Sequence, residues 1–114
     1  MGLPRANRLR KDVDFQRVRS QGRSWANRLL VLGVAPNGLD HARVGVIVGR
    51  RLGGAVQRNR SRRLISEAVR CRLDRISPGW DLVWIARLPL AQAKFTQVDQ
   101  AVGQLLSRAR LIKE

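Results

Sequence analysis

The sequence predicts an α+β domain in two layers, helices packed on one small sheet. Three observations predict it. The chain has 114 residues, 44% of them hydrophobic, which suits one core and leaves little room for a second. The hydrophobic period switches along the chain between the helical and strand values, in the order α-β-β-α-β-α. Cys71 is the only cysteine and His41 the only histidine, so no disulfide or Cys-His metal set is available and packing must hold the fold. One domain is expected over residues 1–114.

Residues 1–10, MGLPRANRLR, are basic and broken by Pro4; they read as a flexible, extended arm. Residues 11–21 read as a short helix, with Asp12 as its N-cap, Val13, Phe15 and Val18 as its apolar positions, and Gly22 as its stop. Residues 28–35, RLLVLGVA, are apolar and branched and read as a strand. Pro36-Asn37-Gly38 carries turn chemistry. Residues 42–49, ARVGVIVG, read as a second strand. The intervening loop is too short for a parallel crossover, so the two strands are expected to form an antiparallel pair.

Gly53-Gly54 opens a long helix expected over residues 55–75. Leu64, Ile65, Ala68, Val69 and Ile76 fall on one stripe at helical spacing, and Asn59, Arg60, Arg63, Glu67 and Arg70 fall opposite. Ser77-Pro78-Gly79 ends it. Residues 81–86, DLVWIA, form a short apolar run and read as a strand buried on both faces. Thr96, with Asp99 three residues on, is a capping signal for a last helix. Its apolar face is Val98, Ala101, Val102, Leu105 and Ala109.

The formal net charge is +15. Such a charge repels itself and implies a polyanionic partner, with nucleic acid first and an anionic membrane surface second. Of the 23 basic residues only Lys11, Lys94 and Lys113 are lysine, and a planar guanidinium forks onto phosphate oxygens. No stretch resembles a signal peptide or approaches the ~20 apolar residues of a membrane span. A cytoplasmic location without membrane contact is the expectation.

The charge is concentrated. Between Arg50 and Arg72 eight arginines face one acid, Glu67. A solvated helix face usually alternates its signs, and this one does not. Arg50, Arg51, Arg58, Arg60, Arg62 and Arg63 therefore read as phosphate contacts, with Asn59 bonding to RNA or orienting its neighbours. Gly53-Gly54 fits either close approach to a phosphate or a plain strand-to-helix turn. Phe15, near Arg17, Arg19 and Arg23, fits a core anchor or a base-stacking residue. Trp80 and Trp84 read as core or rim; Trp25 is open. His41 and Cys71 read as structural. The eight acids are scattered, so no carboxylate cluster of a protein-only metal nuclease can be built.

These residues resemble the protein subunit of bacterial ribonuclease P. Residues 43–51, RVGVIVGRR, resemble its "RVGxxVSKK" strand. Residues 54–68, GAVQRNRSRRLISEA, resemble the helix that carries its RNR motif, "GxAVxRNRxKRxxRE". Phe15 to Val18 with Gly22 to Ser24 resemble its "FxxV…GxS" segment, and Trp84 to Pro89 its "ARxP" strand end. The resemblance covers nearly the whole chain. It implies an α/β sandwich with a left-handed βαβ crossover, against the general topological preference.

It also implies a monomeric subunit that binds the catalytic RNA through the RNR region. By family position Phe15, Arg19 and Arg87 would hold the single-stranded 5′ leader of precursor tRNA, in a cleft between the sheet and the first helix, and Arg17, close to Phe15, is expected to join them. The RNA would hold the catalytic Mg²⁺ and perform the hydrolysis, so no protein side chain is expected to be catalytic. Arg19 and Gly33 stand where many members carry aromatics, which implies less stacking and more charge contact in that cleft. Ser66 stands where many members have a basic residue. A structural RNA-binding protein without a processing role is the rival reading.

Overall fold

The computed structural model describes residues 2–113; Met1 and Glu114 lie outside the described residues. Its main elements are α1 (Asp12–Gln21), β1 (Arg23–Ala26), β2 (Leu30–Pro36), β3 (Arg43–Ile47), α2 (Ala55–Arg70), β4 (Trp80–Ala86) and α3 (Phe95–Arg108). Short 3-10 turns occupy Arg5–Asn7, Arg50–Leu52, Leu73–Arg75 and Leu88–Gln92. The α+β class expected from the periodicity is the class observed.

The strands form one mixed sheet in the order β1-β2-β4-β3. β4 runs antiparallel to β2, with Leu32 opposite Trp84, and parallel to β3, with Val46 opposite the same Trp84. The expected β2–β3 pair therefore does not form: their directions oppose, but β4 lies between them. Six residues, 37–42, easily span two strand spacings of about 5 Å each. Loop length excluded a parallel crossover without fixing adjacency. The apolar run of β4 decides the matter, because a strand buried on both faces belongs at the centre. Leu82, Val83 and Trp84 are all fully buried.

β1 was absent from the sequence reading. It is a four-residue edge strand, RSWA, and only Trp25 in it is partly covered. An exposed edge strand carries no apolar alternation by which to find it.

Side chains alternate between two cores. Leu30, Leu32, Val34, Val44, Leu82 and Trp84 face Ile65, Ala68 and Val69 of α2, together with Val98, Val102, Leu105 and Leu106 of α3. On the other face Ala35, Val83, Ile47 and Ile85 pack with Phe15 and Val18 of α1 and with Leu9. That second cluster is small, so α1 leaves part of its face of the sheet open.

The helix boundaries shift for local reasons. α2 ends at Arg70, earlier than residue 75, and a 3-10 turn follows. Ile76 is buried outside the helix, where it bridges to Ile112. α3 starts at Phe95, one residue before the expected cap. The Gln97 side chain accepts from the Lys94 backbone N–H at 2.9 Å, while Asp99 accepts from Arg72 Nη1 at 2.6 Å and ties α3 to α2. Asp12 is the first helical residue of α1, with Lys11 at the cap.

Residues 2–10 pack against the domain instead of projecting from it. Leu3 and Leu9 are buried, Leu9 N–H donates to Val44 O at 2.9 Å, and Arg8 Nε donates to Leu3 O at 2.7 Å.

Candidate nucleic-acid interface

Two arginine-bearing surfaces result, one on each side of the sheet. The larger is built on α2 and the turn before it. Arg50 and Arg51 lie exposed in the 3-10 turn. Gly53 then takes φ of 125°, a value open to glycine and strained for other residues, and reverses the chain into α2. The buried face of α2 is Ser61, Ile65, Ala68 and Val69. Asn59, Arg60 and Arg63 point to solvent, and Arg58 and Arg62 flank the packed stripe, half-buried. All seven residues expected to contact RNA thus keep exposed surface on α2 or on the turn before it.

Their partners are weak or neutral. Arg60 Nη2 donates to Ala93 O at 3.1 Å. Arg62 Nη1 donates to Asn59 Oδ1 at 3.0 Å, so Asn59 does orient a neighbour and keeps its amide N–H groups available. Among the described residues none of Arg50, Arg51, Arg58, Arg60, Arg62 and Arg63 meets a carboxylate. Glu67 binds Arg70 instead, accepting from its Nε at 3.1 Å. The Arg70 hydrogen bond comes first among the causes that hold the Glu67 carboxyl below its ordinary range. α2 also begins on Gly54, without a capping side chain, which leaves first-turn N–H groups free to meet an anion.

The second surface is the part of the sheet that α1 leaves open. A groove of about 170 Å³ runs there between Val18, Arg19 and Gly22 on one side and Val31, Gly33, Val83 and Ile85 of the sheet, with Ser24 at its edge. Arg19 is exposed at its rim. Phe15 is half-buried in the cluster that includes Ile85. Its ring lies on Gly45, where any Cβ would collide with it. Arg87 follows the last residue of β4, exposed, its Nη1 donating to Asn27 O at 2.8 Å.

Arg17, the fourth residue expected in this cleft, is turned elsewhere. It donates to the Asp81 carboxylate and to Pro36 O at 2.9 Å. Asp81 has no exposed surface. It also accepts from Arg43 Nε at 2.8 Å and Arg43 Nη2 at 2.7 Å, and from Asn37 Nδ2 at 3.0 Å. Burial is the largest single influence on its carboxyl and pushes the pKa up. The hydrogen bonds from Arg43 and Asn37, with the charges of Arg43 and Arg17, together outweigh it and hold the carboxyl below the usual range. Asp14 adds a second carboxylate, 3.6 Å from Arg43 and 3.8 Å from Arg17. This clamp joins α1 to three strands.

The sequence reading missed the clamp, although its signal was present. An acid opening a strand buried on both faces requires a cationic partner.

The model of the Ribonuclease P family matches residues 3–110. The ribonuclease P protein component of Herpetosiphon aurantiacus is 46% identical over 109 residues, covering 96% of this chain and 89% of that protein. That of Roseiflexus castenholzii is 49% identical over 112 residues, covering 97% and 92%. The solved Staphylococcus aureus RNase P protein superposes with a TM-score of 0.88 at 34% identity, covering 96% of this chain and all of that one. For the RNase P protein of Thermotoga maritima the values are 0.82, 33%, 89% and 96%.

Proposed function

The chain belongs to the ribonuclease P protein family, and from that membership we propose that it binds the RNase P RNA subunit through α2 and holds the 5′ leader of precursor tRNA against the open sheet face. The observation that carries the first half is the set of arginines on α2 that meet no carboxylate among the described residues. They are positioned by a well-packed helix but not neutralised by the fold, so phosphates can take them. If about five phosphates are engaged, log affinity falls with log salt at a slope of roughly −3.5 to −4.5.

The second half rests on the groove beneath α1. Its floor is apolar and partly open and its rim carries Arg19; Phe15 packs in the same cluster as Ile85 of that floor, and Arg87 lies two residues beyond Ile85. That combination suits an unpaired strand, with bases toward the floor and phosphates toward the guanidiniums. Arg17 takes a different part from the one expected of it: it positions α1 through Asp81. Leader binding adds affinity away from the scissile bond, which favours precursor over mature tRNA.

No group of three His, Cys, Asp or Glu side chains among the described residues is placed to hold a metal ion. In this reading, which rests on family membership, the RNA holds most of the Mg²⁺ and carries out the hydrolysis. The protein positions substrate and screens charge. Cytoplasmic action as one protein copy per RNA completes the proposal.

Reconstitution tests it. At low Mg²⁺, purified protein added to the RNA subunit should accelerate release of the leader at the mature 5′ end, and omission of the RNA should abolish cleavage. Tight RNA binding without acceleration would favour the structural RNA-binding rival. Cleavage by rigorously RNA-free protein would contradict the division of labour.

A further inference from the structure

Phe95 is one of two phenylalanines in the chain, and it is 38% exposed at the first position of α3. The core does not need it there, because Val98, Ala101, Val102, Leu105 and Leu106 already bury the apolar stripe of α3. An aromatic residue left this exposed forfeits part of the burial that makes such residues valuable to a fold. The ring borders an open groove of roughly 530 Å³, shared with Arg60, Arg63, Leu64 and Glu67 of α2. This groove lies on the α2–α3 side of the sheet, opposite the face that α1 partly covers.

From this geometry we infer that Phe95 is a stacking platform for an unpaired base of the RNA subunit, a contact that rests on the reading of α2 as the face that binds that RNA. Arg60 is tethered by its bond to Ala93 O, two residues before Phe95, so its guanidinium is held beside the turn into α3. Arg63 stands exposed along the same groove. Among the described residues the one carboxylate there, Glu67, is engaged by Arg70 and leaves the three arginines that line the groove, Arg60, Arg62 and Arg63, unneutralised. An apolar wall of Leu64 and Phe95 with a cationic rim matches a nucleotide. The base lies on the ring, and its phosphates meet the guanidiniums. An acidic peptide would meet the arginines equally well but has no flat face for the ring.

Stacking and phosphate contact separate by their response to salt. The RNA subunit would be titrated with wild type, Phe95→Ala and Arg63→Ala over a range of salt concentrations. Phe95→Ala is expected to lower affinity by about 5- to 100-fold and by the same factor at every salt, leaving the slope intact. Arg63→Ala is expected to flatten the slope by about 0.7 to 0.9. Phe95→Trp should retain affinity and add indole fluorescence that RNA quenches. Phe95→Leu, which keeps apolar bulk without the flat ring, should fail like Phe95→Ala and serves if the alanine variant does not fold. Wild-type affinity in Phe95→Leu or Phe95→Ala, with a steep wild-type slope, would overturn the stacking inference and leave the α2 reading standing. A flat wild-type slope would overturn both.

Discussion

The helices α1 and α2 both carry arginines at helical spacing, yet the fold treats them in opposite ways. On the α1 side, Asp81 and Asp14 lie within reach, and Arg17 and Arg43 converge on them. On α2 the only acid is Glu67, and among the described residues the one arginine it reaches is Arg70. A guanidinium's role is therefore set by whether the fold brings a carboxylate to it. The Arg17–Asp81 pair is 64 residues apart in sequence, so inspection of α1 by itself could not show that Arg17 was already engaged.

The comparison is broken most sharply at Asp81. Asp81→Asn leaves Arg17 and Arg43 facing a buried group that no longer balances their charge. Removing one member of a buried pair costs about 3–5 kcal/mol, and the exposure of Arg17 and Arg43 to solvent places this case toward the low end. The drop should appear in the urea midpoint of the isolated protein; a shift near zero would mean that water already screens the clamp. The same group predicts an acid response. Its folded pKa lies below the ordinary carboxylate value, so as pH falls the unfolded chain takes up the proton first. The clamp's contribution is complete above about pH 3.9 and is lost as pH drops through the lower folded value. Asp81→Asn should flatten stability over that acid window.

Gly45→Ala is the next largest effect and acts on the packing of Phe15 instead of the clamp. A methyl there collides with the Phe15 ring, so α1 or the ring must shift. Overpacking of this kind costs about 1–3 kcal/mol. If Phe15 and the groove serve the leader, the variant should also narrow the difference in affinity between precursor and mature tRNA. Loss of stability with an unchanged difference would restrict Phe15 to packing.

Much of this arrangement was legible in the sequence. The α2 stripe, the apolar β4 run and the face of α3 are written in local periodicity, and the α2 arginines stand out because no nearby acid answers them. Strand order was not legible, since β4 enters between β2 and β3 from more than thirty residues downstream. Edge strand β1 escaped notice because Arg23, Ser24 and Ala26 face solvent. Arg17 is placed in the cleft by its closeness to Phe15, while its partner lies on another element.

Arg63→Ala and Arg17→Ala sharpen the comparison with smaller and opposite effects. Arg63 touches no carboxylate among the described residues, so its loss should leave the folding midpoint in place and reduce the salt slope of RNA-subunit binding by roughly one unit or less. Arg17 is bound to Asp81, so its loss should lower the folding midpoint and leave that slope alone. A reduced slope in Arg17→Ala would show that this arginine leaves its carboxylate when RNA is present.

Glu67→Gln is the smallest and most informative change, because it moves α2 further from α1. Glu67 now draws Arg70 toward itself, the single place where α2 behaves as the α1 clamp does. Glutamine keeps the size and removes the charge. Both side chains are well exposed, so the folding midpoint should not move. RNA affinity at low salt should rise slightly, and the salt slope should steepen by less than about one unit as Arg70 becomes available to a phosphate. A fall in affinity would mean that Glu67 aims Arg70 at the RNA. The two surfaces would then differ in degree, each using a carboxylate to place an arginine.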